Sequence, residues 1–373
     1  MQRESRSFKT FKVPPGFVLQ SGEELDPAAF LAYETYGTLN AARSNAILWP
    51  TCYGQRHWEQ GHAIGNGKRF DPSRFFVITV NMLGNGASYS PTTLGSGANY
   101  PKSIISYLDN AILQHKLVQS LGIDKLALIY GFSMGAMLAL EWAVQFPEQV
   151  ASVVAVCGSA KTGRANAYFL STLQKSLRAD PLCELDQNGR VVGFRGKPLE
   201  GLRAFALTYA DWICDSPASS GIAPDSSRPD YARSKPGGRF YAEGLYKQIA
   251  PVDTCEAFLE GWTKNFSNNW QAMEYYVVSE TWLHGDVSAN SRYRGDLRKA
   301  LGAITALVYL MPGSTDQYFI AEEIQEQAAM IPNCVFQPLE SPFGHIAEGR
   351  PECQPLIQAA IQKCLAHVSS SRL

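Results

Sequence analysis

The sequence predicts an α/β protein: a mostly parallel central sheet with helices on both faces and an inserted helical cap. Three observations predict it. Short, wholly apolar runs alternate with longer stretches of helical apolar spacing, the pattern of strands covered on both faces by crossover helices. The alternation stops at about residue 161 and resumes after about residue 299. A Gly-x-Ser-x-Gly pattern at 131–135 lies where one such strand gives way to one such helix.

Residues 8–13 and 32–36 read as edge strands of a mixed sheet, with Pro14-Pro15-Gly16 breaking the chain between them. Apolar runs at 46–49, 75–80, 126–130, 150–156, 306–310 and 335–339 read as the remaining strands. Ile112, Leu113, Leu117 and Leu121 give 107–121 helical spacing. Between 161 and 299 the spacing at 169–177 and 270–282 reads as helices, with a polar Ser-, Pro-, Gly- and Asp-rich loop at 215–238. The 373 residues therefore divide into the first part of a sheet domain (1–160), a helical cap (161–299) and the second part of the sheet domain (300–373). A length prior of about 2.5 domains becomes one discontinuous domain carrying a large insertion.

Composition excludes some classes. Hydrophobic residues make up 45% and charged residues 18%, so the chain folds. Lys plus Arg is 33 against 34 Asp plus Glu, which leaves no concentrated basic face for nucleic acid. No stretch is long and apolar enough to span a membrane, and the charged start lacks the apolar core of a secretory signal. The eight cysteines are scattered without a Cys-x-x-Cys pair, as expected of reduced intracellular thiols rather than a zinc or redox motif. Ser371-Arg372-Leu373 is a conservative variant of the Ser-Lys-Leu tripeptide read by the peroxisomal import receptor, so a peroxisomal location is expected.

The chemistry centres on Ser133. By chance a Gly-x-Ser-x-Gly match is expected roughly 0.2 times in such a chain, so its setting matters. An apolar strand precedes it and a helix follows, which is what a serine on a strained turn needs. Glycines two residues to either side avoid collision, and the helix N-terminus offers N–H donors to a developing oxyanion. A serine needs a base, and the fold presents base and acid after later strands in the order Ser, acid, His. His345 follows the last strand directly. Asp316 is the only carboxylate in the loop after the strand before it. The expected catalytic set is Ser133, Asp316 and His345. The backbone N–H groups of Cys52 and Met134 are expected to form the oxyanion hole. Aromatics in and around the cap supply candidate pocket residues: Tyr53, Phe132, Tyr168 and Trp282, with His284, and in a wider set Tyr209, Trp262 and Tyr275. Arg56 and Arg203 are candidates for a carboxylate clamp.

Three other patterns fail. Gly61 to Arg69 resembles a phosphate loop, but Arg69 stands where a magnesium-binding Ser or Thr belongs. His57 and His62 have the wrong spacing for a zinc helix, and Gly84-Asn85-Gly86 does not complete a dinucleotide fingerprint.

The stretch from Gly131 through Trp142 to Glu148 resembles the elbow and following helix of the homoserine O-acetyltransferase-like family of α/β-hydrolases, and the resemblance runs nearly the whole chain. It implies the α/β-hydrolase fold, carries nucleophile, acid and base to Ser133, Asp316 and His345, and implies a homodimer. The loop at 81–91 is similar to that of the ester-hydrolase branch. Ile346 stands after the base where homoserine-accepting transferases carry Asp. The resemblance therefore implies a serine hydrolase cleaving a carboxylic ester of a small or secondary metabolite through an acyl-enzyme. The alternative is a CoA-dependent O-acyltransferase or acyl thioesterase on the same triad, with acyl-CoA as co-substrate. No cofactor and no metal are expected.

Overall fold

The computed structural model describes residues 8–94, 100–213 and 244–370. The polar loop at 215–238 and the tripeptide Ser371-Arg372-Leu373 lie outside them.

β1 (Lys9–Lys12) and β2 (Phe30–Tyr36) pair antiparallel, and β2 pairs antiparallel with β4 (Phe76–Val80). From β4 onward the ladder is parallel, through β3 (Ala46–Pro50), β5 (Leu128–Phe132), β6 (Ser152–Val156), β9 (Leu307–Met311) and β10 (Cys334–Phe336). The order across this eight-stranded sheet is β1-β2-β4-β3-β5-β6-β9-β10. The two mixed strands thus sit at one edge, and the apolar runs fill the parallel centre, as their patterning requires.

Helix α1 (Tyr107–Ser120) begins at Ser106, whose hydroxyl accepts from Asp109 N–H at 3.1 Å while the Asp109 carboxylate accepts from Ser106 N–H at 2.8 Å. A cap of this kind is worth about 1 kcal/mol. Its face of Leu113 and Leu117 packs beside α2 (Met134–Gln145), which is buried from Met134 to Val144 against β3, β5 and β6. On the other face, α9 (Gln354–Ser370) covers β5, β6 and β9 through Ile357, Ile361 and Cys364.

Sheet neighbours β6 and β9 are separated in sequence by the insertion. It holds α3 (Arg164–Arg178), β7 (Cys183–Leu185), β8 (Val191–Phe194), α4 (Leu199–Ile213), α5 (Cys255–Asn269) and α6 (Ala272–Leu283), followed by α7 (Leu297–Gly302). Its two ends meet: Lys161 and Asp286 form an isolated antiparallel bridge, and their side chains pair at 2.7 Å. The β7–β8 hairpin corrects the all-helical reading of this stretch. The Asp186 carboxylate accepts from Asn188 N–H and Arg190 N–H, both at 2.9 Å, and Gly189 takes φ +73°, so the hairpin signal was the Asn188-Gly189 pair rather than any apolar period. After β9 come α8 (Ala321–Ala328) and the short helical turn Gly344–Gly349.

One carboxyl folded into this core has a shifted titration. Glu141 lies on the buried face of α2, and burial pushes its carboxyl up to about 8, opposed by the hydrogen bond from Gln145 and reinforced by Asp286 and Asp109. The ordinary value is 4.5, so between that pH and about 8 the folded chain holds a proton that the unfolded chain has lost. Stability therefore falls as pH rises through this window, by at most about 1.4 kcal/mol per unit. Glu141→Gln is expected to remove the slope. Urea unfolding at pH 5 and pH 8 checks it: the stability gap between variant and wild type should widen toward pH 8.

Candidate active site

Ser133 sits between β5 and α2 at φ +55°, ψ −126°, a conformation that non-glycine residues rarely adopt. The flanking glycines make the turn feasible. A Cβ on Gly131 would lie 2.2 Å from Gly135 O, and one on Gly135 would lie 2.8 Å from Pro50 O. The strained turn lifts the serine hydroxyl off the sheet edge and points it at the loops after β9 and β10.

Those loops deliver the expected partners. His345 Nε2 is 2.9 Å from Ser133 Oγ, and His345 Nδ1 is 2.7 Å from Asp316 Oδ2. A carboxylate only accepts, so Nδ1 carries the hydrogen, Nε2 is left as acceptor and the serine hydroxyl donates to it. Asp316 Oδ1 accepts from Tyr318 N–H at 2.8 Å and Phe319 N–H at 3.2 Å, which fixes the carboxylate's orientation. Thr315 Oγ1 accepts from Gly344 N–H at 2.9 Å, tying the acid loop to the base loop. The imidazole is packed by Phe132, Tyr318 and Phe319 at ring separations of 5.0, 4.8 and 5.4 Å. All three triad side chains are buried.

Met134 opens α2, so its N–H is one of the helix's orphan donors. Cys52 N–H faces Gln55 Oε1 at 3.4 Å, a long contact that leaves the donor weakly engaged. Burial pushes the Cys52 thiol well up from its ordinary value, so the sulfur is no rival nucleophile. Among the described residues one set of side chains with metal-ligand chemistry converges: Cys157, Asp316 and His345, with ligand atoms within 4.8 Å of one another. Asp316 and His345 are bound to each other, and burial holds the Cys157 thiol protonated, so the donor set fits a triad backed by a thiol better than a metal centre.

Beside Ser133 lies a cavity of about 190 Å³. Cys52, Tyr53, Phe132 and Ile346 line its core side, and Tyr209, Trp262, Phe266 and Tyr275 its cap side. Asn265 and Asn269 are its polar contributions from the cap, and no Lys, Arg, Asp or Glu is among the described lining residues. Tyrosine hydroxyls from the core hold the cap over it: Tyr53 donates to Tyr275 O and Tyr318 to Tyr209 O, each at 2.8 Å. Two larger hollows, of about 430 and 710 Å³, contain no member of the triad.

Of the predicted pocket residues, the structure brings Tyr53 and Phe132 to the cavity and leaves three away from it. Trp282 is buried behind it, stacked on Phe319 at 5.7 Å. Tyr168 is 75% exposed, because its neighbour Phe169 takes the inward face of α3. His284 caps α6, its Nδ1 2.9 Å from Glu280 O, and lines the hollow at the Lys161–Asp286 hinge. Arg56 donates to Asn269 O at 2.9 Å and lies 3.6 Å from Glu274, so its carboxylate partner is the protein's own. Missed by the sequence reading were Ile213, Asn265, Phe266 and Asn269, and Ile346 as a lining residue. A signal existed: Trp262, Asn265, Phe266 and Asn269 recur at i, i+3, i+4 and i+7, one face of α5.

A strained serine elbow feeding a His–Asp pair at the ends of a mostly parallel sheet defines an enzyme of the α/β-hydrolase type. The chain belongs to the alpha/beta hydrolase fold family, whose profile matches residues 54–347. It is 32% identical over 338 residues to the ethyl acetate hydrolase of Pseudomonas veronii, covering 89% of this chain and 88% of that one. It is 29% identical over 355 residues to a homoserine O-succinyltransferase of Methylibium petroleiphilum, covering 88% and 86%. The solved acetyl esterase MekB superposes with a TM-score of 0.84 at 29% identity, covering 98% and 99%. The branch implied by the elbow sequence, holding both esterases and homoserine acyltransferases, is thus the branch in which the relatives fall. Among the described residues no helix is long and apolar enough to cross a membrane.

Proposed function

We propose that the protein is a serine ester hydrolase for small neutral acyl esters. The observation that carries this reading is the hydrogen-bonded series Ser133–His345–Asp316 opening onto an uncharged, aromatic-walled cavity. Ser133 Oγ attacks the ester carbonyl as His345 Nε2 takes its proton. The carbonyl oxygen becomes an oxyanion held by the N–H groups of Cys52 and Met134, each worth roughly 3 kcal/mol in the transition state. Collapse expels the alcohol, protonated by His345. A water, deprotonated by the same base, then releases the acid from the acyl-enzyme. No cofactor enters these steps.

The similarity to an ethyl acetate hydrolase and to an acetyl esterase supports acetyl-type esters. The second reading, acyl transfer from CoA, draws on the homoserine O-succinyltransferase relative. Against it, a zwitterionic acceptor needs charged partners, and the described lining offers none. Ile346, beside the base, is apolar. A peroxisomal site of action and its import receptor rest on Ser371-Arg372-Leu373 alone, and a homodimer and a secondary-metabolite substrate on family resemblance alone.

The test is a series of p-nitrophenyl esters together with acetyl-CoA plus homoserine. Acetate and butyrate should be turned over best, with kcat/KM for octanoate lower by about tenfold or more, because a small rigid cavity penalises overfilling. The free carboxylic acid of each ester should be the acyl product throughout, with no acyl group passed to homoserine. A preference for octanoate would sink the small-ester reading, and accumulation of O-acetylhomoserine would replace hydrolysis with transfer.

A further inference from the structure

Arg69, in the failed phosphate-loop pattern, has a place in the fold that the mechanism has not used. Its side chain is almost wholly buried against Tyr130, Glu348 and Gln354. Nη1 donates to Glu348 Oε1 at 2.5 Å and to Tyr130 OH at 2.6 Å, and Nη2 donates to Gln354 Oε1 at 2.8 Å. The guanidinium lies over the Tyr130 ring at 4.8 Å and the Trp49 ring at 5.7 Å. Tyr130 OH itself donates to Glu348 Oε1 at 2.6 Å, and Gln354 Nε2 donates to Glu348 O.

The partners' positions give the cluster its meaning. Tyr130 is on β5, three residues before Ser133, and Glu348 is on the helical turn Gly344–Gly349, three residues after His345. Through Nη1 the guanidinium therefore joins the strand that carries the nucleophile to the turn that carries the base, and the other arm of its planar fork, Nη2, reaches Gln354 on α9. A buried ion pair is a poor stabiliser, because desolvating both charges offsets most of their attraction. What such a fork does supply is fixed geometry, and lysine cannot reproduce it.

We propose that Arg69 is a positioning residue: through Glu348 and Tyr130 it sets the distance and angle between His345 and Ser133. The proposal rests on the hydrolase reading for its kinetic consequence, but the geometry of His345 can be read without any substrate.

The experiment uses the full chain with Arg69→Met, Arg69→Lys and Tyr130→Phe. Two quantities are measured: kcat and KM for an acetyl ester, and the low-field proton resonance of His345 Nδ1–H in its bond to Asp316. Arg69→Met is expected to lower kcat by about 100-fold, the scale of a misplaced catalytic group, while KM stays within about twofold. Arg69→Lys should fall between it and wild type, and Tyr130→Phe should lose about tenfold. The low-field resonance should broaden or vanish in Arg69→Met. Should that variant not fold, Arg69→Lys and Tyr130→Phe carry the same two readings. Folded variants that keep both wild-type kcat and a sharp resonance would overturn the proposal. If wild type hydrolyses no ester, the hydrolase reading falls by itself, and the resonance still decides whether Arg69 fixes His345.

Discussion

Ser133→Ala is expected to lower ester hydrolysis by about 10⁶-fold, to the level left by the oxyanion donors and binding alone. The Ser133 hydroxyl is the group that the proposed mechanism acylates, with His345 Nε2 2.9 Å away as its base. The thiols at the site, Cys52 and Cys157, are both held protonated by burial. Stability should be unchanged or slightly raised. Alanine bears the same backbone strain at φ +55°, and the variant no longer buries a hydroxyl. Paired measurements check this: hydrolysis of an acetyl ester, and labelling by a fluorophosphonate probe, which should be absent in the variant. A folded Ser133→Ala protein that hydrolyses at the wild-type rate would remove the nucleophile from the mechanism.

Asp316→Asn should cost about 10⁴-fold in kcat with little change in KM. The reason is tautomeric and can be read from the acceptors. Oδ1 of Asp316 takes the N–H groups of Tyr318 and Phe319, so the asparagine that replaces it keeps its oxygen there. Its NH₂ then faces His345 Nδ1, which must become the acceptor. The proton moves to Nε2, which can no longer take the hydrogen of Ser133. The variant is nearly isosteric, so folding should survive. A kcat within tenfold of wild type would show that the Asp316–His345 contact at 2.7 Å has only a structural role.

Much of this site was legible before the fold was known. Ser133 announced itself by a local requirement: only glycines tolerate contacts as close as those at 131 and 135, and only a strand–helix junction uses them. Asp316 and His345 followed from topology, since parallel strands present their following loops at one end of the sheet, and each residue lies in such a loop. The pocket was read less well. Tyr168 and Phe169 are adjacent aromatics in one helix, one 75% exposed and one buried, and no local feature distinguishes them. Trp282 and Trp262 likewise share a residue type and a helical setting, yet the first is packed behind the site and the second lines it.

By itself, then, the sequence determined what is encoded within a few residues or by strand order: the parallel sheet, the elbow, and the placing of Ser133, Asp316 and His345 on loops that meet. Only the tertiary structure decided which cap faces close over Ser133, that Arg56 is already paired with Glu274, and that Arg69 reaches both the strand of the nucleophile and the turn of the base. The physical reason is range. Backbone strain and apolar period are properties of neighbours along the chain, whereas the walls of a cavity and the partners of a buried charge are chosen by packing between segments hundreds of residues apart.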